Sequence, residues 1–164
     1  FEAATFDVVV CYGGALSYVL EQAGIALDEM LRVLKPEGYL LLSVMSLIGT
    51  TQANFEAITE IPNFTRLVAQ VNANGFLDGD ANNGHQLKMY RAKELKQLCQ
   101  SHQGEIVAMS ASNYLSLNRN EFLEQMLTTD AWVRFLSWEL DFCAEDGCLD
   151  NGTHIISVIK KTNI

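Results

Sequence analysis

The sequence is poor in basic residues, in proline and in long apolar runs. Its 164 residues contain 11 Lys plus Arg against 20 Asp plus Glu, which gives a net charge of -9 at pH 7, and they include two prolines. Binding to a nucleic-acid backbone needs clustered cations, so a nucleic-acid partner is disfavoured. No run of eighteen apolar residues is present, so the sequence predicts no membrane span.

The four cysteines form no CxxC pair and stand in apolar surroundings. This usage is typical of a reduced, cytoplasmic protein. The first residues, FEAATFD, hold no basic segment followed by an apolar core, so secretion is not indicated. The cysteine and histidine spacings match no standard zinc finger, and we expect no metal site.

Apolar residues make up 49% of the chain, enough for the core of one ordinary domain. Residues 6–12 predict a strand, and three consecutive valines within it predict that both faces are buried, as in a parallel strand covered by helices. The apolar residues recur with a helical period over 17–34. A Lys-Pro-Glu-Gly turn follows at 35–38, and residues 39–45 predict a second apolar strand. This order is a βαβ unit.

The rest of the chain continues the alternation of helices and strands. The segment 46–85 is the least regular, and we expect it to form a lid or insertion within the domain, with an exposed loop at 78–84. The other predicted elements are helices at 55–61, 64–72, 92–101 and 120–138 and strands at 86–90, 105–112 and 153–160. This alternation indicates an α/β fold in a single domain.

The segment 132–150 is both aromatic and acidic. Its aromatic residues recur at helical spacing, and we expect them to pack on the sheet: Trp132, Phe135, Trp138 and Phe142. Its acidic residues have no Lys or Arg among them: Glu139, Asp141, Glu145, Asp146 and Asp150. A solvated face is the ordinary explanation of such a run, and attraction of a cationic or amine substrate is the alternative.

Two stretches, FDVVVCYGGALSYV and LDEMLRVLKPEGYLLLSV, resemble the second half of a Rossmann-like S-adenosylmethionine-dependent methyltransferase. The first is similar to the fourth strand of that family and the loop after it. The second is similar to the next helix, a Lys-Pro-x-Gly turn and the fifth strand. MYRAKELKQLC, GEIVAMSAS and GTHIISVIKK resemble the last helix and the final two strands. The resemblance implies an α/β fold that is the carboxyl-terminal half of the family's sheet, strands 4 to 7, with flanking helices and an irregular insertion.

The resemblance also implies S-adenosylmethionine as the cofactor and assigns residues to it. In this family the residues just after the fourth strand line the methionine part of the cofactor, which here are Cys11, Tyr12, Gly13, Gly14 and Leu16. Ligands of open α/β sheets bind beyond the carboxyl ends of the strands, and glycine permits close approach and positive φ angles. A plain tight turn from strand to helix would also use two glycines.

Substrate-side candidates stand near the same ends of the strands. They are Ser43, Ser46 and Tyr90. His154 begins the last strand, which is antiparallel in the family, so it is expected on the same rim as Gly13 and is the candidate catalytic residue. Methyl transfer from a sulfonium needs a base only where the acceptor must lose a proton, and a hydrogen-bonded structural histidine is the alternative.

The family's glycine-rich cofactor loop and its acidic ribose-binding residue are not found in this sequence. We therefore expect the carboxyl-terminal part of a longer enzyme that methylates a small molecule, with the isolated part inactive. The apolar strand at 6–12 would expose an unpaired edge, which a missing amino-terminal segment or a second copy would cover. The alternative is a non-catalytic interaction module that uses this edge to bind a partner or itself.

Overall fold

The computed structural model describes residues 1–79 and 84–162. Most of the loop predicted at 78–84 therefore lies outside the described residues. The strands are β1 (Phe6–Cys11), β2 (Leu34–Met45), β3 (Phe76–Leu77), β4 (Leu87–Lys88), β5 (Gly104–Ala111) and β6 (His154–Lys161). The helices are α1 (Ala15–Tyr18), α2 (Ala23–Val33), α3 (Leu47–Ala53), α4 (Phe55–Thr59), α5 (Phe64–Asn74), α6 (Ala92–Gln100), α7 (Asn120–Met126) and α8 (Ala131–Cys143), and a short 3₁₀ turn, Leu20–Gln22, joins α1 to α2.

Four strands form one mixed sheet in the order β1-β2-β6-β5. β1 is parallel to β2, with Val9 opposite Leu40. β6 is antiparallel to both of its neighbours, and its first residue, His154, lies opposite Met45 at the end of β2. The α/β fold and the antiparallel last strand are confirmed. β3 and β4 form a separate antiparallel pair.

One face of the sheet carries the main core. Leu40 of β2 and Ile159 of β6 are fully buried there, and they belong to the same apolar cluster as Leu27 of α2 and Leu95 of α6. Both helices are amphipathic, so their apolar stripes face the sheet while charged residues stay in water. Each fully buried leucine of this kind contributes about 1.5–3 kcal/mol of transfer free energy.

β1 is covered on one face only, and there only in part, so the predicted burial of both faces is wrong. Val9 and Cys11 pack against the core cluster, whereas Val8 and Val10 are 49% and 60% exposed. β1 stands at the edge of the sheet. The helices α2 and α6 pack on the face that carries Val9, which is opposite to the face that carries Val8 and Val10. Within the part of the chain that the structure describes, the outer edge of β1 has no partner strand.

The predicted Lys-Pro-Glu-Gly turn is present, and it lies inside β2 as a bulge. Phe6 pairs with Leu34 and Val8 pairs with Tyr39, so the residues between these two partners loop out of the ladder. A Cβ atom at Gly38 would lie 2.9 Å from the carbonyl oxygen of Lys35, closer than real Cβ contacts. Glycine is therefore the residue that lets this turn close.

The segment 46–79 folds into three short helices beside the β3–β4 pair, with a small core of its own. The buried members of this second cluster are Leu47, Val71, Leu87 and Met89. Gly75 ends α5 with a φ of 73°, and a Cβ atom there would lie 2.1 Å from the carbonyl oxygen of Met89. These helices form a cap that follows directly on the end of β2, in the segment where the sequence predicts a lid or insertion, and the lid stays a prediction.

The helix predicted at 120–138 is two helices, α7 and α8, and its aromatic residues do not pack on the sheet. No residue of α8 is buried. Trp138 is 58% exposed, Trp132 stacks on Phe135 within the same helix, and Phe142 makes an edge contact with Tyr114. None of the described helices has the length and apolar character that a bilayer crossing requires.

Candidate active site

The Tyr-Gly-Gly turn at residues 12–14 leads from the carboxyl end of β1 into α1. Gly13 and Gly14 both have a φ of 72°, in the left-handed region that disfavours residues with a side chain. Gly14 is the residue that precedes α1, so the second left-handed residue sets the direction of the helix. The positive φ angles predicted for this loop are present.

The two glycines differ in what surrounds them. A Cβ atom at Gly13 would meet nothing within 4 Å, so this residue is open to an approaching molecule. A Cβ atom at Gly14 would lie 3.1 Å from Met45 Cγ and 3.3 Å from His154 Nε2. Tyr12 is half exposed beside them. The turn therefore presents one open glycine, and it rests on the end of β2 and the start of β6.

Two serines hold this turn against β2. The amide of Gly14 donates a hydrogen bond to Ser43 Oγ over 3.3 Å, and the amide of Met45 donates to Ser17 Oγ over 2.9 Å. Ser17 is fully buried in α1. Ser17 is not among the residues predicted for the site. Its only signal in the sequence is a lone hydroxyl in the apolar Ala-Leu-Ser-Tyr stretch directly after the glycines.

Cys11 and Leu16 turn their side chains away from the rim. Leu16 is 1% exposed and belongs to the main core, and Cys11 packs against that same core. Burial raises the pKa of the Cys11 thiol, and a hydrogen bond with the Leu16 backbone partly opposes that rise. These two residues anchor the turn, which leaves Tyr12, Gly13 and Gly14 as the predicted cofactor residues that face outward.

Ser46 and Tyr90 lie beside each other at the end of β2, where both make hydrogen bonds that hold the fold together. Ser46 is fully buried, and its Oγ donates to the carbonyl oxygen of Asp150 over 2.5 Å while accepting from the amide of Gly49, which caps α3. Tyr90 is 5% exposed, and burial raises its pKa to about 12. Its amide donates to the carbonyl oxygen of Met45 over 2.9 Å. The Ser46 hydroxyl is therefore fully used within the fold.

His154 lies on the same rim as the glycine turn, half-buried between Met45 and the end of β5. Its Nε2 faces Gly14, its Nδ1 lies 3.2 Å from Thr153 Oγ1, and its amide donates to Ser112 Oγ. Burial lowers the pKa of the imidazole below the ordinary histidine value of 6.5. The ring is therefore neutral at pH 7 and able to accept a proton.

The half-buried His154 is expected to make stability depend on pH. Because the folded-state pKa lies below that of the unfolded chain, the unfolded state takes up the proton first as the pH falls. The free energy of unfolding should therefore decrease from about pH 7 downward, through the lowered pKa. Urea unfolding at pH 7.5, 6.5 and 5.5 should show a shallower decrease for His154→Gln. Parallel pH profiles for the two proteins would contradict this assignment.

Three of the acidic residues of 139–150 contact other parts of the chain. Asp150 Oδ1 accepts from the Ala92 amide over 2.7 Å at the start of α6, and Glu139 Oε2 accepts from the Leu115 amide over 2.8 Å. Asp146 pairs with Lys96. Among the described residues, no group of three or more His, Cys, Asp or Glu is placed to hold a metal ion, and all four cysteines are free thiols.

Comparison with known proteins adds to this geometry. The family described as "Methyltransferase domain" matches residues 1–42, which include β1, the glycine turn and α2. The chain is similar to 1,6-didemethyltoxoflavin-N1-methyltransferase of Burkholderia thailandensis, solved with S-adenosylhomocysteine bound, at 13% identity and a TM-score of 0.55. The alignment covers 99% of this chain and 47% of that one.

Two further solved structures are similar. One is an S-adenosylmethionine-dependent methyltransferase of Thermotoga maritima, at 11% identity and a TM-score of 0.57, covering 99% of this chain and 59% of that one. The other, from Methanosarcina mazei, shows 14% identity and a TM-score of 0.54, and the alignment covers 100% of this chain and 63% of that one. The fold is that of the S-adenosylmethionine-dependent methyltransferases. No curated protein sequence matches this chain.

The predicted resemblance to the Rossmann-like S-adenosylmethionine-dependent methyltransferases is confirmed by the match to residues 1–42 together with the superposed structures. The chain spans about half the length of the Burkholderia enzyme, at 47%. At identities of 11–14%, the likeness to these structures shows the fold alone and does not identify an acceptor or a partner.

Proposed function

We propose that this chain forms part of an enzyme that transfers a methyl group from S-adenosylmethionine to a small-molecule acceptor. The glycine turn at residues 12–14 carries this proposal, because it combines an exposed left-handed glycine with the carboxyl end of a parallel strand. The same turn lies within the residues that match the methyltransferase family. The Burkholderia relative has S-adenosylhomocysteine bound.

The residues present fit one part of this cofactor. Gly13 leaves open the space that a Cβ atom would fill, and the half-exposed Tyr12 ring stands next to it. Gly14 is fixed by Ser43 and by contact with Met45, so the turn is rigid on the side facing the protein. Tyr12, Gly13 and Gly14 would therefore hold the cofactor. When bound, the cofactor supplies a methyl group already activated on a sulfonium, so the protein mainly binds and orients.

His154 is the substrate-side residue of this proposal. Its Nε2 lies against the glycine turn, and its lowered pKa keeps the imidazole neutral at pH 7. A neutral imidazole at this place would accept a proton from an acceptor oxygen or nitrogen that must lose one. The other substrate-side candidates have a supporting role in this proposal, because their hydrogen bonds hold the glycine turn and the end of β2 in place: Ser43, Ser46 and Tyr90.

The exposed edge of β1 supports the view that this chain works within a larger enzyme. Val8 and Val10 are exposed, and within the described residues the outer edge of β1 pairs with no strand, a kind of edge that proteins normally cover. The same observation favours a second candidate function, a non-catalytic module that binds a partner strand along this edge. The two functions differ in whether S-adenosylhomocysteine binds.

Calorimetric titration separates the two functions. S-adenosylhomocysteine is titrated into the 164-residue chain and into the complete protein that carries it, with the mass of each measured in solution. Methyltransferase function predicts micromolar binding by the complete protein, about -8 kcal/mol, and weak or no binding by the chain alone. Absence of binding by the complete protein would overturn the proposal. A complete protein that self-associates and binds no S-adenosylhomocysteine would instead favour the interaction module.

A further inference from the structure

A cavity of about 330 Å³ lies under the helical cap, between α3–α5 and the β3–β4 pair. Its volume is at the lower end of the range found for small-molecule sites. Its walls are mostly apolar and come from β2, the cap and the β3–β4 region. They include Met45, Ile58, Leu67, Val68, Leu77 and Met89.

The chemistry of the walls excludes a charged occupant. Among the described residues that line the cavity, none is charged, so an ion inside it would lose its hydration without gaining a counter-charge. The polar groups are uncharged: Thr50, Thr51, Asn54 and Asn72. Thr50 Oγ1 donates to the carbonyl oxygen of Thr153, and Asn54 Nδ2 donates to the carbonyl oxygen of Thr50. A few neutral hydrogen-bonding groups in an apolar wall suit a ligand with one or two polar atoms.

Met45 joins this cavity to the rim of the sheet. It is a wall residue of the cavity, and its Cγ would lie 3.1 Å from a Cβ atom at Gly14. In the sheet it lies opposite His154. Met45 therefore contacts both the cavity and the glycine turn. Because its side chain is flexible, it would move aside so that the reacting atom of a molecule in the cavity reaches the cofactor.

We propose that this cavity binds the methyl acceptor, and that the acceptor is a neutral, compact and largely apolar molecule, such as a small aromatic ring bearing a hydroxyl group. This rests on the proposed methyltransferase function. It also favours a neutral acceptor over the cationic or amine substrate that the acidic run 139–150 suggested, because none of those acids lines the cavity and no charged residue is among its described wall residues.

The test uses 1-naphthol as a neutral aromatic probe and 1-naphthalenesulfonate as its charged counterpart. The complete protein is labelled with ¹³C at the methionine methyl groups, and the Met45 and Met89 signals are assigned with Met45→Leu and Met89→Leu variants. Naphthol should shift the signals of these two cavity residues and leave that of Met126 in α7 unchanged. The sulfonate should bind at least about tenfold more weakly.

Two tryptophan variants locate the probe independently. Val68→Trp fills the cavity and should weaken naphthol binding by at least about tenfold, whereas Val133→Trp, at a residue of α8 that is 70% exposed, should leave it unchanged. Unshifted Met45 and Met89 signals, equal binding of the sulfonate, or full affinity in Val68→Trp would each overturn the proposal. Because S-adenosylhomocysteine binding is measured separately, naphthol binding without it would mark a failure of the methyltransferase assignment, and the reverse result a failure of the cavity assignment alone.

Discussion

Alanine at Gly49 is expected to lower the free energy of unfolding by about 3 kcal/mol, the upper part of the usual range for an overpacked site. A Cβ atom at this position in α3 would lie 1.8 Å from the carbonyl oxygen of Gly152 and 2.4 Å from its carbonyl carbon. Both are backbone atoms, so no side-chain rotation relieves the overlap. The helix would have to move away from the chain that leads into β6, which also weakens the hydrogen bond from the Gly49 amide to the carbonyl oxygen of Asp150.

Urea unfolding measures this effect, and Gly147→Ala is its matched control. A Cβ atom at Gly147, in the loop just before the same segment, would meet nothing within 4 Å, so its variant should stay within about 0.5 kcal/mol of the wild type. For a domain of this size, the Gly49→Ala variant should melt roughly 6–12 °C lower. Equal stability of the two variants would show that α3 does not rest directly on the backbone at Gly152.

The parts of the fold that could be predicted are those with strong local periodicity. β1, β5 and β6 were expected at 6–12, 105–112 and 153–160 and are found at Phe6–Cys11, Gly104–Ala111 and His154–Lys161. Such differences of a residue at each end are ordinary for element boundaries. The placement of His154 beside the glycine turn followed from the antiparallel last strand, which the resemblance supplied and the pairing of β2 with β6 reproduces.

Periodicity identifies an element and leaves its partners undetermined. Three consecutive valines in β1 have the composition of a strand buried on both faces, yet Val8 and Val10 face no helix within the described structure. The aromatic spacing of α8 likewise predicts a helix, and an apolar stripe has the same spacing whether it packs on a sheet or stays exposed, as Trp138 does. In both cases the sequence does not tell which part of the protein, if any, packs against the apolar face of the strand or helix.

Contacts between distant residues were invisible for a different reason. Ser46 was proposed for the substrate because it follows an apolar strand, but its hydroxyl caps α3 and donates to Asp150, 104 positions later in the chain. The approach of Gly49 to Gly152 is equally distant in sequence. A single sequence carries no signal for such pairs, since neither residue departs from its local pattern.

Valine at Gly13 is expected to weaken S-adenosylhomocysteine binding by the complete protein by about a hundredfold, which is roughly 2.8 kcal/mol at 1.4 kcal/mol per tenfold. Gly13 has a φ of 72°, where a residue with a side chain is strained by about 1–2 kcal/mol. With valine at position 13, the turn in the free protein would relax to another conformation. Binding of S-adenosylhomocysteine would then have to restore the strained conformation, which weakens the affinity. Its branched side chain would also occupy the open space next to the turn. The core should stay intact, because a Cβ atom here meets nothing within 4 Å.

Gly13→Asn separates the two causes of this loss. Asparagine adopts the left-handed region more readily than other residues with a side chain, so it preserves the turn while still filling the space beside it. Loss of affinity in both variants, measured by calorimetry, would show that the ligand approaches the backbone of Gly13 closely. Affinity kept in the asparagine variant alone would show that the conformation of the turn is what matters. Undiminished binding in both would remove the turn from the cofactor site, and with it the observation that carries the methyltransferase proposal.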